Sequence, residues 1–335
     1  MKIKEIAAST PVSGRYLITE NQLKVAKNGS NYLAMKIADP SGELAVKVWS
    51  ADEELFNCLA AGRVIELHNV QPKVFKDQMQ LEWEGKNQAL FKVLPEHEVD
   101  YGQFLPAAPG NLTDYWNYIA GTIESVTTPD LQKILKHFFG NRDFAAQFMR
   151  VPAALKRHHV YVGGLLEHTA GVTAMCRAAA DYYPAVNRDL LLTGAILHDI
   201  GKTKTYQLGK GFSGTDEGKL IGHLVLGVEM VNHAIAETMD ANTPKSAALK
   251  NQLLHLLVSH HGIMEWGSPV EPLIIEACIL HHADNLDAQV TKFLTIIRAE
   301  SGETGWSAFD PGLGRSIYIH SRFDRPDAQV KPEEQ

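Results

Sequence analysis

The chain has little cysteine, no long apolar run and no excess of positive charge. Its three cysteines (Cys58, Cys176, Cys278) lie far apart without a CxxC spacing. A disulfide framework and a thiolate-rich structural zinc site are therefore not expected, and reduced thiols of a cytoplasmic protein are. No uninterrupted apolar stretch approaches the ~18 residues that a membrane-spanning helix needs. The opening "MKIKEIAASTPVSG" has lysines but no apolar core, so no secretory leader and no membrane partner are expected. A net charge of −7 gives no bulk attraction to nucleic acid, so any such contact must come from a local basic face. What the chain does have is 335 residues of ordinary globular composition and fifteen histidines, most of them in the second half and several in pairs.

The first part of the chain reads as strands. Alternating runs at Tyr32–Ala38 and Glu43–Trp49 flank the turn signal "ADPSGE". The stretch "ADEELFNCLAAG" has a short helical pattern, and "RVIELHNVQPKVFKDQMQLEWEG" follows as two more strands with Lys76-Asp77 at a turn. Strands, one short helix, then strands within about 80 residues fit a small Greek-key barrel of the OB type, a common scaffold for gripping single strands. Residues 1–95 carry twelve basic against eleven acidic side chains, so the surplus of acid lies in the remainder. Lys24, Lys27, Lys36, Lys47, Lys73 and Lys76 are interleaved with Tyr16, Tyr32, Trp49, Phe75 and Trp83. Lysines can track phosphates and aromatics can stack bases, but a small barrel also needs some of these rings for its core. The candidate nucleic-acid contacts are Lys24, Lys27, Lys47, Lys73, Tyr32, Trp49 and Phe75.

From Leu112 onward helical periodicity dominates. A cap is expected at Thr113 or Asp114, and Pro129 sits in the first turn of the next helix. The segment "KTKTYQLGKGFSGTDEGKLI" reads as a hairpin or loop excursion. In the helical half, His168, His198-Asp199, His223, His260-His261 and Asp284 are spread over five separate apolar segments. A single histidine in such a setting is ordinarily a satisfied core residue. Five such sites in the order H…HD…H…HH…D, one per helix, fit metal ligation better, because buried polar groups need partners and imidazole with carboxylate suits divalent transition ions. Ligation by His and Asp leaves coordination positions for water, as a catalytic site requires.

This order resembles the HD superfamily of metal-dependent phosphohydrolases, an all-helical fold. The blocks "KRHHVYVGGLLEHT", "ILHDIGKTKTY", "IGHLVLG", "SHHGIMEWGSP" and "EACILHHADNLDAQ" resemble those of the YhaM-type 3′–5′ exoribonuclease family, which also carries an amino-terminal OB-type domain. The resemblance implies a multidomain chain: an all-β OB-like barrel (1–95), a linker (96–111), a helical connecting segment (112–150), an all-α HD-domain helical bundle (151–300) and an irregular tail (301–335). It implies that Asp199 bridges two ions. His168, His198 and Asp284 would complete one site, and His223, His260 and His261 the other. Mn²⁺ is the favoured ion, with Co²⁺, Fe²⁺ and Ni²⁺ as alternatives.

The expected reaction is hydrolysis of single-stranded RNA to mononucleotides, with Asp199 and Lys202 as catalytic residues. Lys202 would reach the scissile phosphate, against a bland reading as a solvated helix-end lysine. His158 and His159 are candidates for the substrate path or for packing, and His281-His282 for support of the ligands. Asp287, one turn after Asp284, is assigned a capping or salt-bridge role. Alternatives are a small-molecule nucleotide or cyclic-dinucleotide phosphohydrolase, and a regulatory protein that binds single-stranded DNA or RNA. The lack of "GYP" after the His pair argues against the cyclic-dinucleotide group. A homo-oligomer enclosing the site would suit processive digestion, and the oligomeric state stays open.

Overall fold

The structure, a computed structural model, describes residues 1–75, 78–155, 159–209, 211–239, 243–299 and 305–320. The chain divides into two compact units, Met1–Ala107 with Leu208–Gly211, and Ala108–Gln207 with Phe212–Gln335.

The first unit is a barrel of seven strands: β1 (Val12–Val25), β2 (Asn31–Asp39), β3 (Gly42–Trp49), β4 (Val64–Val70), β5 (Pro72–Phe75), β6 (Gln78–Glu84) and β7 (Phe91–Val93), with α1 (Glu53–Cys58) between β3 and β4. The strand order is β5-β6-β3-β2-β1-β4-β7. Neighbours are antiparallel except for β3 and β6, which run parallel. A meander, a helix after the third strand and a β1 shared by two halves of the sheet make this an OB-type barrel. A register shift between Ile18 and Glu20 lets β1 pair with β4 along its first half and β2 along its second. Alternation in β2 and β3 sends Leu33, Met35, Ile37, Leu44, Val46 and Val48 into the core. Tyr16 and Trp83 are core residues as well. Burial pushes the Tyr16 phenol up to about 12, with Asp39 adding to the effect. The Lys76-Asp77 turn lies outside the described residues.

The second unit is helical. It contains α2 (Leu112–Ser125), α3 (Pro129–Phe139), α4 (Arg142–Phe148), α5 (Gly164–Tyr182), α6 (Arg188–Leu197), α7 (Lys202–Thr205), α8 (Asp216–Leu220), α9 (His223–Thr238), α10 (Pro244–Ser259) and α11 (Ile275–Ala299). Helix α6 is buried on every side from Asp189 to Leu197 and forms the centre of the bundle. Helices α3, α5, α10 and α11 pack around it.

The cap of α2 is Asn111, whose side chain accepts from Thr113 N–H at 2.9 Å, rather than Thr113 or Asp114. Helix α3 begins at Pro129. Its preceding residues Thr127 and Thr128 donate backbone and hydroxyl protons to Asp189 at 2.7–2.9 Å, which ties α3 to α6. The Lys202–Ile221 excursion contains α7, the hairpin β8 (Tyr206–Leu208) and β9 (Phe212–Gly214), and α8. Between 96 and 111 the chain makes turns of 3₁₀ helix at Glu96–Glu98 and Tyr101–Gln103. Within the expected tail, β10 (Gly305–Trp306) and β11 (Tyr318–Ile319) form a short antiparallel ladder. Residues 301–304 and 321–335 lie outside the described residues. No described helix is long and apolar enough to cross a membrane.

Candidate metal centre

Five helices bring the seven candidate ligands together. His168 lies on α5, His198 and Asp199 directly follow α6, and His223 opens α9. His260 and His261 follow α10, and Asp284 lies on α11. His198 and His260 are built alike. Each is the residue just after a helix, and each Nδ1–H donates at 2.8 Å to the carbonyl three residues back, Ala195 and Leu257 respectively. A carbonyl can only accept, so the proton sits on Nδ1 and the Nε2 lone pair points to the centre. His261 Nδ1 donates to the Trp266 carbonyl at 2.8 Å, and His168 Nδ1 to Asp287 Oδ2 at 2.6 Å. Four imidazoles thus turn Nε2 inward.

Asp199 stands between two groups of these ligands. Its Oδ2 is 3.3 Å from His198 Nε2 and 3.4 Å from His168 Nε2. Its Oδ1 is 3.4 Å from His223 Nε2 and 3.7 Å from His260 Nε2. The ligand atoms of His168, His198 and Asp284 lie within 4.8 Å of one another, and so do those of His223, His260 and His261. His168 Nε2 is also 3.1 Å from Asp284 Oδ1.

Lone pairs and carboxylates facing one another in a buried space fit a cation. The Nε2 atoms of His168 and His198 approach to 3.2 Å with both Nδ1 protons already donated elsewhere. Asp199 Oδ1 and His223 Nε2 are buried and make no hydrogen bond among the described residues. Unpaired buried acceptors of this kind cost free energy unless a proton or a metal satisfies them. Burial would lower the His168 pKa, but hydrogen bonds to Asp199, Asp284 and Asp287 raise it well above the ordinary histidine value. His223 and His261 are held below that value, chiefly by burial. Burial disfavours the Asp199 charge, yet Lys202 and His198 bring its pKa well below the usual carboxylate range. A donor set of imidazoles and carboxylates without thiolate suits Mn²⁺, Fe²⁺, Co²⁺ or Ni²⁺.

The candidate ligands differ in exposure. His168, His198, Asp199 and His260 are at most 2 % exposed, whereas the side chains of His223 and Asp284 are 19 % exposed.

Lys202 is not the solvated helix-end lysine of the bland reading. It opens α7 instead of ending a helix, it is buried, and its Nζ is 2.5 Å from Asp199 Oδ2. It donates to the Asp199 carboxylate. His159, expected on a substrate path, is 3 % exposed, with ring nitrogens bonded to the Tyr161 hydroxyl and Asp287 at 2.8 Å each. Two polar partners inside the bundle keep it from facing solvent. His158 lies outside the described residues. His281 Nδ1 donates to the His260 carbonyl at 2.9 Å and so braces the ligand turn. Asp287 holds two histidines as the acceptor of a buried network, a salt-bridge role whose link to the centre only the fold reveals.

On the barrel, β-sheet register groups most of the candidate contacts on one outer face. Lys24 pairs with Tyr32, and Tyr32 with Trp49, in one row across β1, β2 and β3. The Tyr32 and Trp49 rings are 5.1 Å apart. Lys47, in the next row, sits 4.7 Å from the centre of the exposed Phe75 ring and 6.0 Å from that of Trp49. Lys73 is paired with Glu82 at 3.1 Å. Lys27 is exposed in the β1–β2 turn.

The HD domain family matches residues 165–289, the span that holds all seven candidate ligands. The 3′–5′ exoribonuclease YhaM of Bacillus velezensis is 35% identical over 279 residues, covering 82% of this chain and 84% of that protein. The chain belongs to the YhaM family. Its Bacillus subtilis member, also a 3′–5′ exoribonuclease, is 34% identical over 281 residues, with 82% of this chain and 84% of that one covered. The solution structure of an OB domain from Thermoplasma acidophilum aligns with 30% of this chain and 96% of its own, at 16% identity and a TM-score of 0.22. The barrel assignment rests on strand order and pairing.

Proposed function

We propose that the protein is a metal-dependent 3′–5′ exoribonuclease that hydrolyses single-stranded RNA to mononucleotides. The observation that carries this reading is Asp199, a buried carboxylate whose two oxygens face two separate sets of ligands in a chain of the YhaM family. In the proposed centre His168, His198 and Asp284 would hold one divalent ion and His223, His260 and His261 a second, with Asp199 shared between the two. When bound, such ions lower the pKa of a shared water towards neutrality and offset charge on the scissile phosphate.

The protein's own groups set up that chemistry. Lys202 keeps Asp199 ionised and fixes its orientation through the 2.5 Å contact. The backbone carbonyls of Ala195, Leu257 and Trp266 fix three imidazoles in the tautomer that presents Nε2. His223 and Asp284 are among the more exposed of these side chains, and we assign phosphate approach to the exposed part of the centre. We assign RNA gripping to the barrel face of Lys24, Tyr32, Lys47, Trp49 and Phe75, with Lys27 at its edge and Lys73 contributing through its exposed stem. Stacking on aromatic rings tolerates any base, as a degradative nuclease requires. Mn²⁺ is the favoured ion.

The test is digestion of end-labelled single-stranded RNA with Mn²⁺ and with chelator. A 5′ label should pass through progressively shorter products, a 3′ label should leave at once as mononucleotide, and chelator should stop both. Phosphate release from mononucleotides without RNA shortening would sink this reading in favour of a small-molecule phosphohydrolase.

A further inference from the structure

Asp287 touches a metal ligand on one side and a conformationally strained histidine on the other. Its Oδ2 accepts from His168 Nδ1 at 2.6 Å and from His159 Nε2 at 2.8 Å. His159 has φ +50, in the left-handed region that a non-glycine residue adopts only at a cost of order 1 kcal/mol or more. Surrounding contacts hold it there. Its Nδ1 meets the Tyr161 hydroxyl, and Thr291 Oγ1 lies 3.1 Å from its Nε2. Tyr161 and Tyr115 donate to the two oxygens of Glu167, the Tyr115 bond being 3.0 Å. With both tyrosine protons given to Glu167, the Tyr161 oxygen faces His159 Nδ1 and the opposite ring nitrogen of His159 faces Asp287.

A glycine completes the arrangement. Gly171 lies one turn after His168 on α5, and a Cβ there would stand 2.5 Å from Asp287 Oδ1. The carboxylate is held by two histidines and cannot simply rotate away, so the close approach requires glycine.

We infer that Asp287, held by His159 and seated against Gly171, is a positioning residue for the metal centre that fixes the tautomer and direction of His168. The Tyr115–Glu167–Tyr161–His159 chain extends that support to α2, which carries no ligand. This rests on the two-ion reading given above. Partners that orient a ligating histidine typically contribute a factor of about 10–100 in metal affinity. The effect should fall on the ion held by His168, His198 and Asp284, because the other three histidines are oriented by backbone carbonyls or by their place in α9.

The experiment is Mn²⁺ titration of metal-free wild-type protein and of the Asp287→Asn, Asp287→Ala and Gly171→Ala variants. Free Mn²⁺ is read by electron paramagnetic resonance, and thermal melting of each metal-free protein serves as the fold control. One of two Mn²⁺ ions should weaken about tenfold to a hundredfold in Gly171→Ala and Asp287→Ala, and less in Asp287→Asn, which keeps one acceptor for His168. The other ion should bind as in the wild type. Unchanged affinity for both ions in folded Gly171→Ala and Asp287→Asn overturns the inference, as does equal weakening of both ions accompanied by a lowered melting temperature. Wild-type protein that takes up no Mn²⁺ overturns the metal centre itself, and this inference with it.

Discussion

Replacing Gly201 by alanine should disable the centre without touching a ligand. Gly201 has φ −62 and ψ −17, a conformation any residue adopts, so backbone preference does not demand glycine. Space does. A Cβ at 201 would lie 2.0 Å from the His223 carbonyl oxygen and 2.6 Å from Gly227 N. Both are backbone atoms, so no rotamer change relieves the clash, and the start of α9 must retreat by about 1 Å to regain van der Waals distance. His223 is the first residue of that helix and faces Asp199 Oδ1 at 3.4 Å. Metal–ligand distances tolerate only about 0.2 Å, so a shift of this size removes His223 from the second site. Overpacking should cost about 1–3 kcal/mol of stability, and a misplacement of ~1 Å at a reacting centre about a hundredfold in turnover. The assay is RNA digestion at saturating Mn²⁺ alongside Mn²⁺ binding and a melting curve. A folded Gly201→Ala protein with wild-type rate and wild-type Mn²⁺ affinity would refute the reasoning.

Other consequences can be checked directly. Asp199→Ala should abolish turnover and lower metal content, measured by elemental analysis, while RNA binding by the barrel stays largely intact; retained turnover would remove the bridging role. Tyr32→Ala and Trp49→Ala should each weaken binding of single-stranded RNA by about 1–3 kcal/mol in a filter or anisotropy assay, while hydrolysis of a small nitrophenyl phosphodiester is unchanged. Asp189 should give an acid-side stability slope. Burial raises its pKa, but hydrogen bonds from Thr127 and Thr128 bring it below the ordinary 3.8. Its contribution is therefore present above that value and lost as pH falls through the lower native pKa. The difference in urea midpoint between wild type and Asp189→Asn should accordingly shrink towards pH 3.

Much of the centre was legible because ligand chemistry is written in residue types. Histidines and aspartates embedded in apolar helices are conspicuous, and their order survives folding. The barrel was legible through alternation and one short helix between strands. What could not be read were relations set by close packing between distant segments. Asp287 read as a capping or salt-bridge residue, but its partner emerged only once α11 was placed against α5, where it meets a histidine 119 positions away. His159 stayed open between the substrate path and packing, because polar residues beside a site motif serve either. Its burial depends on Tyr161, Glu167 and Asp287 arriving from three directions. Lys202 was placed by helical spacing on the face of Asp199, and the fold puts its Nζ 2.5 Å from that carboxylate. Tyr16 and Trp83 could be separated from Tyr32 and Trp49 only once strand register gave each ring a side.

The most direct test of the two-ion centre is an anomalous difference map at the manganese edge from crystals of the protein grown with Mn²⁺. Two peaks about 3.5–4 Å apart should flank Asp199, one among His168, His198 and Asp284 and the other among His223, His260 and His261. A single peak, or none within reach of Asp199, would contradict it.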